Sequence, residues 1–425
     1  MTFNGPIGDL VKFSIGGGWG SDEEKSGYSE VAVIRGTDIP KVAMGDISTV
    51  PHRFESNKKL TNRLLKTGDV VLETAGGSSA NGQFTGRTLL ITEEILHSLG
   101  PTICASFCKR LELNTDIVEP GYFYWYMQDL YSSGRVAIYD SQSTGISNFQ
   151  FSSFLESEIL ELPDLAAQKA LANSLSNINA LINLKSENAQ LLEQIAQTIF
   201  KSWFIDFDPV KAKMAGAKPV GMDDETAALF PNSMVDSEFG PIPAGWSKSS
   251  MGNFVQARRG KVITKSKTSE GSIPVIAGGL EPAYFHNVAN VSWPAVTVSA
   301  SGANAGFVRL NLEDIWASDC SYVSKSETEY VYTCYLFLKV QQEVIFAMQQ
   351  GGAQPHIYPS DLSRLNFPVP GDLRIFERFE ELIAAMLEKV RSLNNQTASL
   401  IAIRDSLLPR LISGELQIPE EMLVT

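Results

Sequence analysis

Positive charge is unevenly placed in this chain. The run ARRGKVITKSK, residues 257–267, holds Arg258, Arg259, Lys261, Lys265 and Lys267 and no carboxylate. HRFESNKKLTNRLLK, residues 52–66, holds Arg53, Lys58, Lys59, Arg63 and Lys66 against one Glu. Basic side chains at this density can neutralise phosphates, and a solvated surface is the plain alternative. Three Gly-rich stretches, SIGGGWGS (14–21), TAGGSSANGQ (74–83) and SASGANAG (299–306), could bring backbone N–H groups close to a phosphate or could simply turn the chain. None matches GxxxxGK[ST], and RGKV lacks the Ser or Thr, so no nucleotide cradle is read here. Trp19 is expected to be buried in its domain, with stacking or wedging against a ligand as the alternative. The carboxylate–lysine group EEK (23–25), near Asp9 and Asp22, is the kind a metal-dependent nuclease uses, but so short a grouping arises readily by chance. No [DN]PP[YF] run is present to grip an exocyclic amine; DFDPV is only a partial echo. The 4 His are scattered and suggest no triad.

The chain has 425 residues, 44% of them hydrophobic, enough for two or three cores. Its net charge of −13 argues against wrapping nucleic acid through global charge, which makes the location of the basic runs informative. Acidic residues gather elsewhere, as in MDDET and GELQIPEE. Cys104, Cys108, Cys320 and Cys334 form no CxxC pair, so free thiols are expected, with no metal site. MTFNGPIGDL has neither a charged leader nor an apolar core, and no apolar run approaches a membrane span. A cytoplasmic protein is expected.

Two stretches must position the basic runs. In residues 164–204, Leu171, Leu175, Ile178 and Ile182 step by four, three and four; Lys185 and Asn188 interrupt; Leu192, Ile195 and Ile199 resume. In 372–412, Phe379, Ile383, Met386, Val390 and Leu393 keep the same beat, Thr397 interrupts, and Leu400, Leu407 and Leu411 follow. A sustained narrow apolar seam marks a helix that wants a partner helix, and about 40 residues run about 60 Å. The first stretch ends in Ile199, Phe200, Trp203, Phe204 and Ile205, a cluster that must bury against something.

The pattern extends beyond the helices. GISNFQFSSFLESEILELP (145–163) and GAQPHIYPSDLSRLNFPVP (352–370) each precede a helix and share a Gly, an aromatic, a Leu and a closing Pro at matching places. Upstream, IGDLVKFSIGGG mirrors MGNFVQARRGKV, VAVIRGTDIPKV mirrors IPVIAGGLEPAY, and DVVLETAGGSSANG mirrors PAVTVSASGANAG. Alternation of apolar and polar residues between Gly-rich turns reads as strands. The order is globular unit, long helix, globular unit, long helix, an internal repeat. We expect a domain over 1–163, a helix over 164–206, a surface linker over 207–240, a second domain over 241–370, a second helix over 371–413 and a tail over 414–425.

In this order the chain resembles the specificity subunits of Type I restriction–modification systems. IFKSWFIDFDPVKAK and RDSLLPRLISGEL, at the ends of the two helical stretches, are the most distinctive pieces; VIRGTDIPK, VVLETAGGSS and AQPHIYPSDLSRLNFPVP add support. The resemblance implies an α/β fold with two similar target-recognition domains separated by two antiparallel, coiled-coil-like helices in a pseudo-twofold repeat. It implies that each domain reads half of a split double-stranded DNA site, and that the helix pair sets the spacing. It further implies a non-catalytic chain without a cofactor, docked to two modification subunits that supply S-adenosylmethionine and adenine methylation, and to restriction subunits that use ATP and Mg. The first unit starts within a few residues of Met1, so no longer N-terminal extension is expected.

On that footing, DNA contacts are expected from Arg35, Arg53, Lys58, Lys59, Arg63, Gly76, Ser78, Asn81 and Gln83 in the first unit. In the second they are expected from Arg258, Arg259, Lys261, Lys265, Lys267, Asn304, Gln354 and His356. Basic groups would hold phosphates, and Asn, Gln and His would face base edges. Leu175, Ile178, Ile182, Leu192, Ile195, Ile199, Phe200, Trp203 and Phe204 are expected to pack with Phe379, Ile383, Val390, Leu400, Leu407 and Leu411, or to meet a modification subunit. A duplicated DNA-binding nuclease and a protein-only coiled-coil adaptor are the alternatives. Missing catalytic motifs weigh against the first, and the doubled basic runs weigh against the second.

Overall fold

The computed structural model describes residues 3–76, 84–143, 146–238, 240–350 and 355–416. The chain divides into two compact units: one holds the residues up to Lys185 and those from Gln396 onward, the other holds Ser186–Asn395. Both are α/β and share one plan.

In the first unit an antiparallel sheet runs in the order Val11–Gly16, Cys108–Leu113, Val70–Glu73, Thr88–Leu90. The two-residue period divides its side chains between two cores: Val70 and Leu72 meet Tyr122, Phe123 and Leu130, while Val71 and Leu89 meet Ala32, Ile34 and Ile91. A second sheet places Tyr28–Ile34 between antiparallel His52–Ser56 and parallel Thr102–Cys104. Asn4–Pro6 pairs with Ile159–Glu161. The helix Pro120–Ser132 covers Thr88–Leu90. Its N-cap is Glu119, whose carboxylate accepts from Tyr122 N at 2.7 Å.

The second unit repeats the same orders. Arg258–Arg259, Cys320–Ser324, Ala295–Ser299 and Val308–Asn311 form the larger sheet. Tyr284–His286, Ile273–Ile276 and Trp316–Ala317 form the smaller, again with one parallel pair. Ser247–Ser250 pairs with Asn366–Val369. The helix Val331–Val340 covers Val308–Asn311. A small sheet of Ala75–Gly76, Ile146–Phe149 and Asp140–Ser143 in the first unit has its counterpart in bridges from His356 to Ser301 and Gln350 in the second.

Two long helices span Leu165–Phe204 and Arg374–Ile412, and each unit contains part of both. Within the first unit, Leu171 and Leu175 share a core with Leu408, Arg404 Nη1 donates to Asn179 Oδ1 at 2.9 Å, and Lys185 Nζ donates to Gln396 Oε1 at 2.6 Å. Within the second, Phe200 lies 5.7 Å from Phe379 and Phe204 5.3 Å from Phe376, centroid to centroid. Rising numbers on one helix meet falling numbers on the other, so the segments in each unit pair antiparallel.

The seam differs from the expected one in its second half. Ala189 and Ala196 are buried, and Ile195 is 38% exposed. Lys185 does not break the three–four rhythm; it occupies a seam position, and the beat continues through Ala189, Leu192, Ala196, Ile199 and Trp203. Ile182, Phe200, Trp203, Phe204, Phe379, Ile383 and Val390 are buried, while Ile178, Leu192, Ile199, Leu400, Leu407 and Leu411 are half-buried.

Residues 207–240, expected as a surface linker, hold two short helices, Asp208–Met214 and Asp224–Leu229. Phe207, Val210, Met222 and Phe230 join the core of the second unit. The aromatic end of the first long helix is thereby enclosed: Trp203 meets Phe230 at 5.3 Å and Phe379 at 5.4 Å, and Phe204 meets Trp246 at 5.8 Å. Proline and weak periodicity concealed this packing, because few-residue helices carry too little pattern to register. Among the described residues, no helix is long and apolar enough to cross a membrane.

Candidate nucleic-acid interface

In the first unit the strand Val11–Gly16 runs into a loop, Gly17–Asp22, that is built by close approach. Gly17 N donates to Cys108 O and Gly18 N to Cys104 O, both at 2.9 Å, and Ser21 exchanges two backbone bonds with Phe54. A Cβ on Gly17 would lie 2.2 Å from two carbonyl oxygens, and one on Gly20, at φ +67°, would lie 2.6 Å from Phe54 O. Only glycine fits there. Trp19 is held out at the tip, 41% exposed. The Arg53 guanidinium lies 4.5 Å from the Trp19 ring centroid, and its Nε donates to Trp19 O at 2.8 Å. This loop, Lys25, Tyr28, Lys59 and Arg63 line a polar cleft of about 620 Å³.

The cations of this cleft are partly neutralised. Arg53 pairs with Asp22, and buried Glu55 takes Arg63 at 3.2 Å and Lys59 at 3.5 Å. Lys58 stands exposed on the helix Asn57–Arg63. Arg35 is committed elsewhere: it grips Asp38 through Nε and Nη2, each at 2.8 Å, and reaches Thr49 O at 2.6 Å. Burial raises the Asp38 carboxyl, but the bonds from Arg35 and Thr49 outweigh it and hold the group below the usual carboxylate range. Arg35 therefore anchors a turn. Gly76, at φ +135°, pairs with Ser147. Ser78, Asn81, Gln83 and Gln354 lie outside the described residues.

The second unit has a loop at the corresponding place. Gly260 N donates to Cys320 O at 2.8 Å and Lys261 N to Ala317 O at 2.9 Å. A Cβ on Gly260 would lie 2.4 Å from Ser318 O. Trp316 Nε1 donates to Lys261 O at 2.8 Å, and the Tyr284 hydroxyl to Ile263 O. The backbone is fixed while Lys261, Lys265 and Lys267 face solvent. Among the described residues, no carboxylate comes within ion-pair distance of these three lysines. Arg258 pairs with Glu327 at 2.9 Å and Arg259 with Asp319 at 2.6 Å. His356 is half-buried and stacks 6.0 Å from Tyr358; Asn304 is half-buried in the turn before Val308–Asn311.

Two features were not read from the residues alone. Trp19 is exposed and not buried, and Val262, at the tip of the second loop, is 66% exposed. The signal lay in the glycines before each tip, which mark backbone too close to its neighbours to turn a side chain inward. Asp9 lies in a short turn and Asp22 is taken by Arg53. Among the described residues, no three His, Cys, Asp or Glu side chains gather as a metal site requires.

Comparison with known proteins gives this frame its setting. Residues 243–400 match the family of Type I restriction modification DNA specificity domains. The Type I restriction enzyme HindI specificity subunit of Haemophilus influenzae is 23% identical over 468 aligned residues, covering 89% of this chain and 100% of that one. The Type I restriction enzyme MjaIX specificity subunit of Methanocaldococcus jannaschii is 24% identical over 320, covering 69% of each. The S subunit of a Type-I restriction-modification system from M. genitalium shares the fold, with a TM-score of 0.57 over 97% of this chain and 96% of that chain at 15% identity. Residues 243–400 thus carry a Type I restriction modification DNA specificity domain, and along its length the chain is similar to the specificity subunits of Type I restriction–modification systems.

Proposed function

We propose that the chain reads a split DNA sequence, each unit contacting one half-site, with the paired helices fixing the distance between them. The observation that carries this reading is the duplicated loop: the same glycine-pinned departure from the same sheet strand, flanked by cations, occurs in both units. Lys58 and Lys59 in one unit, and Lys261, Lys265 and Lys267 in the other, hold phosphates; the ion-paired arginines Arg53, Arg258 and Arg259 are oriented in advance by their carboxylates.

Chemistry is assigned to other chains. Two modification subunits carrying S-adenosylmethionine dock on the helices, and restriction subunits using ATP and Mg join them. Exposed Leu181 and Leu184 in the first unit, and Leu191 and Ile195 in the second, support a protein partner on the first long helix.

A ruler has a measurable length. Adding one seven-residue repeat to both long helices keeps each seam in phase and adds roughly 10 Å at 1.5 Å per residue. The sequence selected from randomised duplex DNA by the chain with its modification subunits then keeps both half-sites and gains about three base pairs of spacer at 3.4 Å each. An unchanged spacer removes the ruler.

A further inference from the structure

The loops described above share more than their glycines. Counting from the pinned glycine, Gly17 and Gly260, the second residue onward is Trp19 in one unit and Val262 in the other. Each is a large apolar side chain held in water, 41% and 66% exposed, on backbone fixed by hydrogen bonds to the same sheet edge. Single exposed apolar side chains are common on folded proteins; what sets these two apart is that both follow a glycine pinned at the same place in the repeated sheet. Cations accompany each tip: Lys25, Arg53 and Lys59 line the cleft that holds Trp19, and Lys261, Lys265 and Lys267 face solvent within five residues of Val262 in the chain. An apolar tip with cations, some of them ion-paired, close by in the fold or the chain fits a ligand that is anionic outside and flat and apolar inside. Duplex DNA has that character at its base steps.

We propose that Trp19 and Val262 are corresponding base-contacting residues, Trp19 stacking on or wedging beside a base in one half-site and Val262 packing against a base in the other. The inference rests on the DNA-reading function proposed above and adds the residues that read. The Arg53 guanidinium beneath the Trp19 ring and the bond from its Nε to Trp19 O hold the indole upright, so little ordering remains to be done on binding. Indole stacks through area and carries little charge, so its contribution is insensitive to salt, unlike that of the lysines.

The test uses the full chain assembled with its modification subunits, and a randomised duplex pool as probe. Wild type enriches a bipartite sequence. Trp19→Ala weakens binding of that sequence about tenfold and relaxes base preference in one half-site only, because wedging beside a base favours steps that unstack easily. Val262→Ser weakens it about threefold and relaxes the other half-site. Both variants keep the wild-type slope of log affinity against log salt, whereas Lys261→Gln with Lys265→Gln and Lys267→Gln flattens it. Both tip variants replace exposed side chains, and unchanged thermal melts show that folding is not at issue. Unaltered selection by both tip variants, or relaxation of the same half-site by both, overturns the inference while leaving the function standing. A wild-type complex that enriches no bipartite sequence overturns the function and the inference with it.

Discussion

The helices Pro120–Ser132 and Val331–Val340 cover equivalent strands in the two units, yet their first N–H groups are satisfied from different directions. In the first unit the acceptor is local: Glu119 caps its own helix, and its backbone N–H is held in turn by buried Gln168 of the first long helix at 2.9 Å. In the second unit the acceptor is distant. Glu380 of the second long helix takes Tyr332 N at 2.8 Å, Thr333 N at 2.9 Å and Thr333 Oγ1 at 2.7 Å. At that contact in the first unit stands Ala172, with Gly121 against it: a Cβ built on Gly121 would lie 3.0 Å from the Ala172 methyl. A repeated frame therefore fixes which donors must be satisfied, not which residue satisfies them.

The two units also anchor their helix ends differently, and the largest expected effect lies there. Phe379 is fully buried and touches Phe200, Trp203 and Phe204 at 5.7, 5.4 and 4.9 Å. Phe379→Ala should cost about 3–5 kcal/mol in the second unit, read by hydrogen exchange of amides in 186–395, with first-unit amides unaffected. Equal loss of protection in both units would mean that they unfold as one and erase the distinction.

Next come the caps. Glu380→Ala removes three bonds at once and should cost about 1–3 kcal/mol, against about 1 kcal/mol for Glu119→Ala, by urea denaturation. Burial pushes both carboxyls above the ordinary glutamate range, outweighing the N–H donors. The folded chain thus keeps these protons at pH values where the unfolded chain has lost them. Stability from this source is complete below the ordinary glutamate pKa and is lost as pH rises through the folded value. Glu380→Gln should remove its part of that dependence; a pH–stability curve with unaltered slope would contradict it.

The smallest effect belongs to the polar seam position of the first unit. Lys185 gives its ammonium to Gln396, and a leucine there would extend the apolar contact. Lys185→Leu should raise stability by under about 1 kcal/mol in urea, and a loss would mean the Lys185–Gln396 bond outweighs the apolar contact it displaces.

Much of this was legible in the residues. Heptads, mirrored strands and the order of the elements follow from periodicity, which the helices impose over ten turns. Ala189 and Ala196 escaped because alanine is a weak apolar signal, although at a seam its small size is what lets helices approach. Arg35 read as a free cation because its partner Asp38, three residues on, becomes a partner only when the backbone turns. The neutralisation of Arg53 by Asp22 joins a strand residue to a loop residue far from it in the chain and has no local trace.

The glycine-built loop at 17–20 separates shape from content. Gly17, Gly18 and Gly20 are each walled in by neighbouring atoms, and the side chain between Gly18 and Gly20 stands clear of them. A lineage could exchange residue 19 alone and alter what this unit touches without redrawing the path of its chain, so new preferences can arise there by single steps.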